Sequence, residues 1–571
     1  MKKIISAALC VIMVFSLMAV LGACSGDKKD TGTQGQSGLG TLANVYPEFS
    51  THRTVTFTTT FMTTVGAGYD PELDIFANEL EKRTNLRLVP KVDTELEDRL
   101  SLFAASGDVP DFMGIYTASN YESVDAMGRG GLIWDLKPYV QDMKSLYPMI
   151  KYDLILNEAA DGGYYALPTL PGMLIGLPGD VPSVMSGVFV REDFLKQLGM
   201  EYPSTPETFY EYLVRCRDEI KTYNGLPIVG YVQSGSDYYT GWMLARIFFP
   251  LPGLGPDYYW LSGFGVDKPN NFQVVNYEYT DSPELLRACK YINKLYREGL
   301  MPNVVTLFGN DYEKILSTGQ AAAVGAWAWD AQTANAVLQQ TDPDGIYICT
   351  TPIFDATNGV LKYPDEKYSL YGASYVMATI SKKLDEATLK HILAVVDYLS
   401  TEEGSMLMMA GVEGVTYEYL PDGTWNYTTD FLAKTNGGDD SSLSKYGLGR
   451  ISAWVYVLNS QAPALRNRVT TLENYADMKG YENWKPFLMS KLDPDMEPTK
   501  DYFMKDGPIK KSLQQDMDFA KNEMYAQCIL ASSEEEVERI IRDYGDRQRR
   551  LGVDDVTAEM QAYLDNFTLA D

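Results

Sequence analysis

At 571 residues the chain is too long for one core, so two lobes or more are expected. Hydrophobic residues make up 45% and charged residues 22%, a globular balance that excludes wholesale disorder. Lys and Arg total 49 against 77 Asp and Glu; at a formal charge of −28, phosphate backbones and anionic headgroups are excluded as charge-driven partners. The two histidines, His52 and His391, are distant in sequence, which excludes a His-rich zinc centre and leaves any Ser-His-Asp triad only those two. Tyrosine is abundant, at 40 residues, and supplies flat side chains with a polar tip.

Lys2 and Lys3 precede an apolar run from Ile4 to Leu21, the charge pattern of a secretory signal. A membrane anchor is the alternative, because about 18 residues borders on spanning length. Leu21-Gly22-Ala23-Cys24 separates the two: it resembles the bacterial lipobox, in which the chain is cut before a cysteine whose thiol carries diacylglycerol. Residues 1–23 are thus expected to be a lipoprotein signal peptide and Cys24 the lipidation site. From Ser25 the chain is polar and Gly/Ser-rich, and 24–44 is expected to be a flexible tether. About 20 such residues reach roughly 25 Å, enough to hold a soluble body off the bilayer. Membrane attachment is expected through the N-terminal lipid only, on the outer face of the cytoplasmic membrane, most simply at a Gram-positive surface. Of the other cysteines, Cys10 lies in the signal. Cys216, Cys289, Cys349 and Cys528 allow three pairings, or none if they are small buried hydrophobes.

After the tether, Thr54-Val-Thr-Phe-Thr-Thr predicts a strand. Asp70-Pro71-Glu72 predicts a helix start, with Leu73, Phe76 and Leu80 on its apolar face. Leu86 to Val89 predicts a strand. Thr94 with Glu97 predicts a capping box opening a helix through Leu96, Leu100 and Phe103 that stops at Gly107. Asp111-Phe-Met-Gly-Ile predicts a third strand. Alternating strands and helices predict an α/β lobe with a largely parallel sheet, whose ligand edge lies beyond the strand carboxyl ends, at 61–68 and 116–121. A second α/β region opens with a strand at Gly187-Val-Phe-Val. It continues with a helix capped by Thr205-Pro206-Glu207 through Phe209, Leu213 and Cys216, and another from Pro283 to about Gly299.

Six segments, in order, resemble extracellular solute-binding proteins of carbohydrate-uptake ABC transporters. They are Ser101-Leu-Phe-Ala-Ala-Ser-Gly-Asp-Val-Pro-Asp111, Gly131-Leu-Ile-Trp-Asp-Leu-Lys-Pro-Tyr139 and Gly163-Tyr-Tyr-Ala-Leu-Pro168. They continue with Val190-Arg-Glu-Asp-Phe-Leu-Lys-Gln-Leu-Gly199, with Gly319-Gln-Ala-Ala-Ala leading into Gly325-Ala-Trp-Ala-Trp329, and with Asp397-Tyr-Leu-Ser-Thr-Glu-Glu-Gly404. The resemblance implies a two-lobed, periplasmic-binding-protein-like α/β fold of type II, with a ligand cleft between lobes joined by several crossovers. It sets lobe 1 at 45–170 and 352–402, and lobe 2 at 171–351 and 403–571, the latter ending helix-rich. It implies a monomeric, non-enzymatic protein that captures an oligosaccharide by lobe closure and delivers it to the permease subunits; a surface-anchored glycoside hydrolase or lyase is the alternative. Longer members of this family carry an acidic calcium loop, whereas Lys221-Thr-Tyr-Asn-Gly-Leu-Pro-Ile228 has no acids, so neither calcium nor a cofactor is expected.

Sugar sites pair aromatic platforms with a few fixed polar groups. Trp327 and Trp329, two apart on a predicted strand, are expected to share one face. Tyr239 and Trp242 stand beside a Gly-rich stretch, Trp260 follows two tyrosines, Tyr371 precedes Gly-Ala-Ser, and Tyr116 ends a predicted strand. These seven aromatics are the candidate ligand contacts. The cluster Met406, Met408 and Met409 reads as core filler.

Overall fold

Threonine alternating with Val55 and Phe57 suits a half-buried pleated surface, and Arg53–Thr59 forms the strand expected there. It pairs in parallel with Leu86–Val92 on one side and Phe112–Tyr116 on the other. Val376–Ile380 then pairs antiparallel with Phe112–Tyr116 and with the short Leu167–Pro168, completing a five-stranded sheet. In this computed structural model the described chain runs from Leu39 to Thr568, leaving out chiefly 61–69, 117–119, 169–185, most of 234–262, 304–309, most of 350–375 and 450–498.

The second sheet has four strands in the order Tyr347–Cys349, Ser186–Arg191, Ala321–Trp327, Val229–Gln233. Ser186–Arg191 runs antiparallel to both neighbours, while Ala321–Trp327 and Val229–Gln233 are parallel. The helix Pro206–Arg215 opens as expected, with Thr205 and Thr208 forming a reciprocal cap. Three C-terminal helices, Pro508–Leu530, Glu534–Leu551 and Val553–Asn566, complete this lobe. Ala520, Met524, Tyr525 and Ile541 share a core with Phe209, Leu285 and Ile292. No helix among the described residues is long and apolar enough to cross a membrane.

Several local expectations are corrected. The helix expected at Asp70 starts at Ile75, and its N-cap is Asp74, not Asp70. Asp70 instead closes a turn onto the Glu72 amide, while the buried Asp74 accepts from Ala77 N at 2.8 Å. Likewise Thr94 and Glu97 lie within a turn-rich stretch tied down by an Asp93–Arg99 ion pair, and the helix begins only at Leu100. The tether ends sooner than residue 44, because Leu39–Val45 is helical and Leu42 lies in the first core. The larger shift concerns the stretch after 402. Met406, Leu407, Met408 and Met409 join Val55, Phe57 and Phe112 in the first lobe's core, as do Trp425, Phe431 and Leu448. Apolar residues on both sides of the strand Val376–Ile380 fill the same interior, so the first lobe extends at least to Leu448.

A buried histidine makes this lobe sensitive to acid. His391 Nε2–H donates to Thr84 O at 2.8 Å, and its Nδ1 accepts from Arg53 Nη1 at 3.0 Å. Accepting from Arg53 needs a neutral ring, whereas the Thr84 carbonyl favours the charged one; burial, with Arg53 adding to it, outweighs Thr84 and pushes the pKa down to about 4. A lowered folded-state pKa means that the unfolded chain binds the proton first. The associated stability is whole above about pH 6.5 and is lost as pH falls toward 4, by about 3 kcal/mol. In urea melts at pH 7 and pH 4.5, the advantage of the parent over His391→Gln is expected to shrink by most of that amount. An advantage that stays constant between the two pH values would refute this coupling.

Candidate functional site

Both sheets present strand carboxyl ends where a ligand edge is expected for this architecture. Tyr116 is the last residue of Phe112–Tyr116 and pairs with Val376, the first residue of its antiparallel neighbour. Trp327 is the last residue of Ala321–Trp327, paired with Ser186. Two of the candidate aromatics thus stand at the strand ends of opposite lobes. Trp329 does not share a strand with Trp327: the helix Ala328–Leu338 begins between them, so a two-residue alternation does not relate the pair. The chain turns because Ala328 and the residues after it supply helix formers where the sheet edge ends. Tyr239, Trp242, Trp260 and Tyr371 lie outside the described residues, as does the edge segment 61–68.

Within the expected edge at 116–121 the structure describes two polar residues, Asn120 and Tyr121, and beside Tyr121 it adds Asp153, which the sequence did not single out. Asn120 is largely buried just ahead of the helix Tyr121–Arg129. Tyr121 is held well above its ordinary pKa by burial and by the nearby Asp153, and it remains a neutral hydroxyl. Asp153 sits, itself buried, on the helix Tyr147–Leu156. Their sequence signal was only that Asn120 and Tyr121 follow a strand end. In the second lobe, the buried Gln233 ends Val229–Gln233 and accepts from Tyr231 OH at 2.9 Å.

Behind the second sheet, Arg191 is fully buried at the end of its strand. Its Nε and Nη2 donate to the two carboxylate oxygens of Asp193 at 2.8 and 2.6 Å, and Nη1 donates to Gly319 O at 2.5 Å. The guanidinium lies 4.3 Å from the ring centres of both Phe194 and Tyr223. Burial works against its charge, but Asp193 more than offsets this and raises the pKa further. The stretch 221–228 forms a tight hairpin, Thr222–Tyr223 against Leu226–Pro227, turned by Asn224 and Gly225 at φ 49° and 76°. Tyr223 OH donates to Asp342 at 2.5 Å, so the acids of Asp342-Pro-Asp-Gly345 serve a turn: Gly345 N also returns to Asp342 O.

The remaining chemistry-bearing groups are sealed away. Cys216, Cys289 and Cys528 are buried free thiols, and burial pushes Cys216 up to about 12. Cys289 and Cys528 both contact the Met524 sulfur, at 3.7 and 3.8 Å. No group of three or more His, Cys, Asp or Glu among the described residues could hold a metal ion.

Residues 70–406 match the family model described as bacterial extracellular solute-binding protein. Lipoprotein LipO of Bacillus subtilis is 25% identical over 369 residues, 62% of this chain and 65% of that one. The chain thus matches somewhat less than two thirds of LipO's length. The polygalacturonan/rhamnogalacturonan-binding protein YtcQ of the same organism is 23% identical over 73% of this chain and 75% of its own. Among solved structures, an HMO-binding, ABC-transporter-associated solute-binding protein from Bifidobacterium longum infantis superposes with a TM-score of 0.64. That match covers 90% of this chain and 99% of the other at 17% identity, which establishes the mixed α/β periplasmic-binding-protein fold with two sheets. The family model spans more than half of the chain, which therefore belongs to the non-catalytic family of bacterial extracellular solute-binding proteins.

Proposed function

We propose that this chain is the extracytoplasmic substrate-binding component of an ABC importer, and that it captures an uncharged oligosaccharide between its lobes. The observation that carries the reading is the placement of Tyr116 and Trp327 at the strand ends of opposite sheets, within a family of solute binders. An aromatic on each side suits the two faces of a sugar ring, and Asn120 and Tyr121 add hydrogen-bonding edges. Trp329, Tyr239, Trp242, Trp260 and Tyr371 are proposed as further contacts. The name of YtcQ and the description of the Bifidobacterium protein refer to glycans, which supports a carbohydrate ligand.

Charge narrows the class. Past the strand Leu86–Val92 come Asp93, Glu95, Glu97 and Asp98, and past Phe112–Tyr116 come Glu122 and Asp125. Arg99 is the one cation in those stretches, and Asp93 already pairs with it, while Glu122 meets Lys511 of the other lobe and the remaining acids keep the edge negative. Such an edge repels a polyuronate, whereas carboxylates accept hydrogen bonds from sugar hydroxyls. Anchoring through lipid on Cys24 at the outer face of the membrane is proposed with it, on the lipobox and on the lipoprotein relative.

A thermal-shift screen tests the reading, with neutral fructo-, xylo- and gluco-oligosaccharides in one arm and oligogalacturonates in the other. A ligand at 100 times its Kd adds about 2.7 kcal/mol of stability. A shift in the neutral arm alone is expected. No shift in either arm would count against sugar capture, and a shift in the uronate arm would overturn the charge argument while leaving capture standing.

A further inference from the structure

The helix Tyr147–Leu156 buries Ile150 and Leu154 in the first lobe's core. At 3.6 residues per turn, Tyr152 projects from the opposite side, where a surface tyrosine belongs. It is nevertheless only 6% exposed. Lys151 Nζ lies 4.4 Å over its ring from the same helix, and from the other lobe the ring of Phe503 lies 6.0 Å away, edge to face. Phe503 is itself fully buried, and it stacks on Phe567 at 4.9 Å and 17°. Phe567 in turn touches Tyr563 of the last helix.

The short turn Lys500–Phe503 is otherwise fastened to the second lobe. Lys268 pairs with Asp501 at 3.2 Å, both side chains nearly buried, and Lys500 lies 4.7 Å over the Phe272 ring. On the first lobe's side the helix bearing Tyr152 is equally fixed. The buried Asp397 accepts from Ser145 N and Leu146 N at its front end, at 2.8 and 2.9 Å. A second contact between the lobes has another character. Lys511 Nζ lies 3.5 Å from Glu122 Oε1, with the two side chains 43% and 79% exposed. A pair in that much water contributes little and breaks readily.

We propose that the Tyr152–Phe503–Phe567 stack is the bearing on which the lobes turn, a contact kept through opening and closing, and that Lys511–Glu122 is a rim contact made and broken with each excursion. A fixed helix meets a fastened turn there through aromatic surface on which the rings can roll, whereas separation would expose those rings to water. The proposal rests on capture by lobe motion, but its test needs no sugar.

Spin labels at Leu102→Cys and Val337→Cys, exposed positions on the first and second lobes, report the inter-lobe distance in unliganded protein. Cys24→Ala and Cys349→Ala complete the background, since Cys216, Cys289 and Cys528 are buried. Phe503→Ala and Tyr152→Ala are expected to broaden the distance distribution and extend it to longer values. Lys511→Glu is expected to move its centre outward without broadening it. Should Phe503→Ala lose the parent's circular dichroism spectrum, Phe503→Leu, which keeps most of the volume but cannot stack, takes its place. A folded variant at Phe503 or Tyr152 with the parent's width overturns the proposal. So does a Lys511→Glu distribution as broad as theirs. Oligosaccharide binding decides the functional reading separately.

Discussion

Replacing Arg191 by Met is expected to cost about 3–5 kcal/mol of stability, the usual penalty for removing one member of a buried charge pair. The guanidinium satisfies both Asp193 oxygens and the Gly319 carbonyl while filling the space between Phe194 and Tyr223. Met supplies apolar volume but none of the five donors, so the Asp193 carboxylate and the Gly319 carbonyl lose their partner. Arg191→Lys keeps the charge yet cannot span two carboxylate oxygens, and it is expected to fall between parent and Met. Urea unfolding would show the loss as a lower midpoint at unchanged slope. A Met variant within 1 kcal/mol of the parent would show that the cluster relaxes around the gap. The same melt would then refute the view that this arginine fastens the second sheet to its hairpin.

Trp327→Ala is expected to weaken ligand binding about a hundredfold while leaving the melting temperature near the parent's. An indole against a sugar face shields roughly 100–150 Å² of apolar surface, worth about 3 kcal/mol at 25 cal/mol/Å². Calorimetric titration with whichever oligosaccharide the screen returns reads the first effect, and a melt reads the second. A core tryptophan would give the reverse signature, a stability loss of about 3–5 kcal/mol before any loss of affinity. Trp329→Ala is the companion measurement. Since Trp329 stands on the helix that follows the strand, it can differ from Trp327 in either respect. If both variants bind normally, the site lies elsewhere on the strand ends.

The elements that could be read from sequence are those whose signals are local. Thr205-Pro206-Glu207 fixes a helix start with no help from the rest of the chain, and Gly107, at φ 75°, ends one. The start at Ile75 was not legible, because Asp70 and Asp74 are both plausible caps by composition. The choice falls to a distant partner: Ile75 N donates to Tyr446 O, and Gly447, lacking a Cβ, leaves room for the Asp74 carboxylate. The same lack of local signal hid the home of residues 406–448, since apolar residues suit either core equally well. Of the site, Tyr116 and Trp327 were legible as strand ends. The face shared by Trp327 and Trp329 was misjudged, because spacing by two means nothing once a helix intervenes. Asn120 was legible only as part of the edge at 116–121, and Asp153 carries no pattern; burial alone draws attention to it.

The strand Val376–Ile380 has a consequence for how the exported chain acquires its shape. Phe112–Tyr116 cannot be paired on its far side until that strand arrives, roughly 260 residues later, and Leu448 comes later still. A polypeptide emerging from a secretion pore N-terminus first therefore displays a raw sheet edge through most of its passage, the kind of template on which neighbouring chains zip together. Neither lobe is a contiguous stretch: the first waits for Val376 to Leu448, and the second for its helices from Pro508. A nick in either lobe would separate segments whose cores are built from both sides of it.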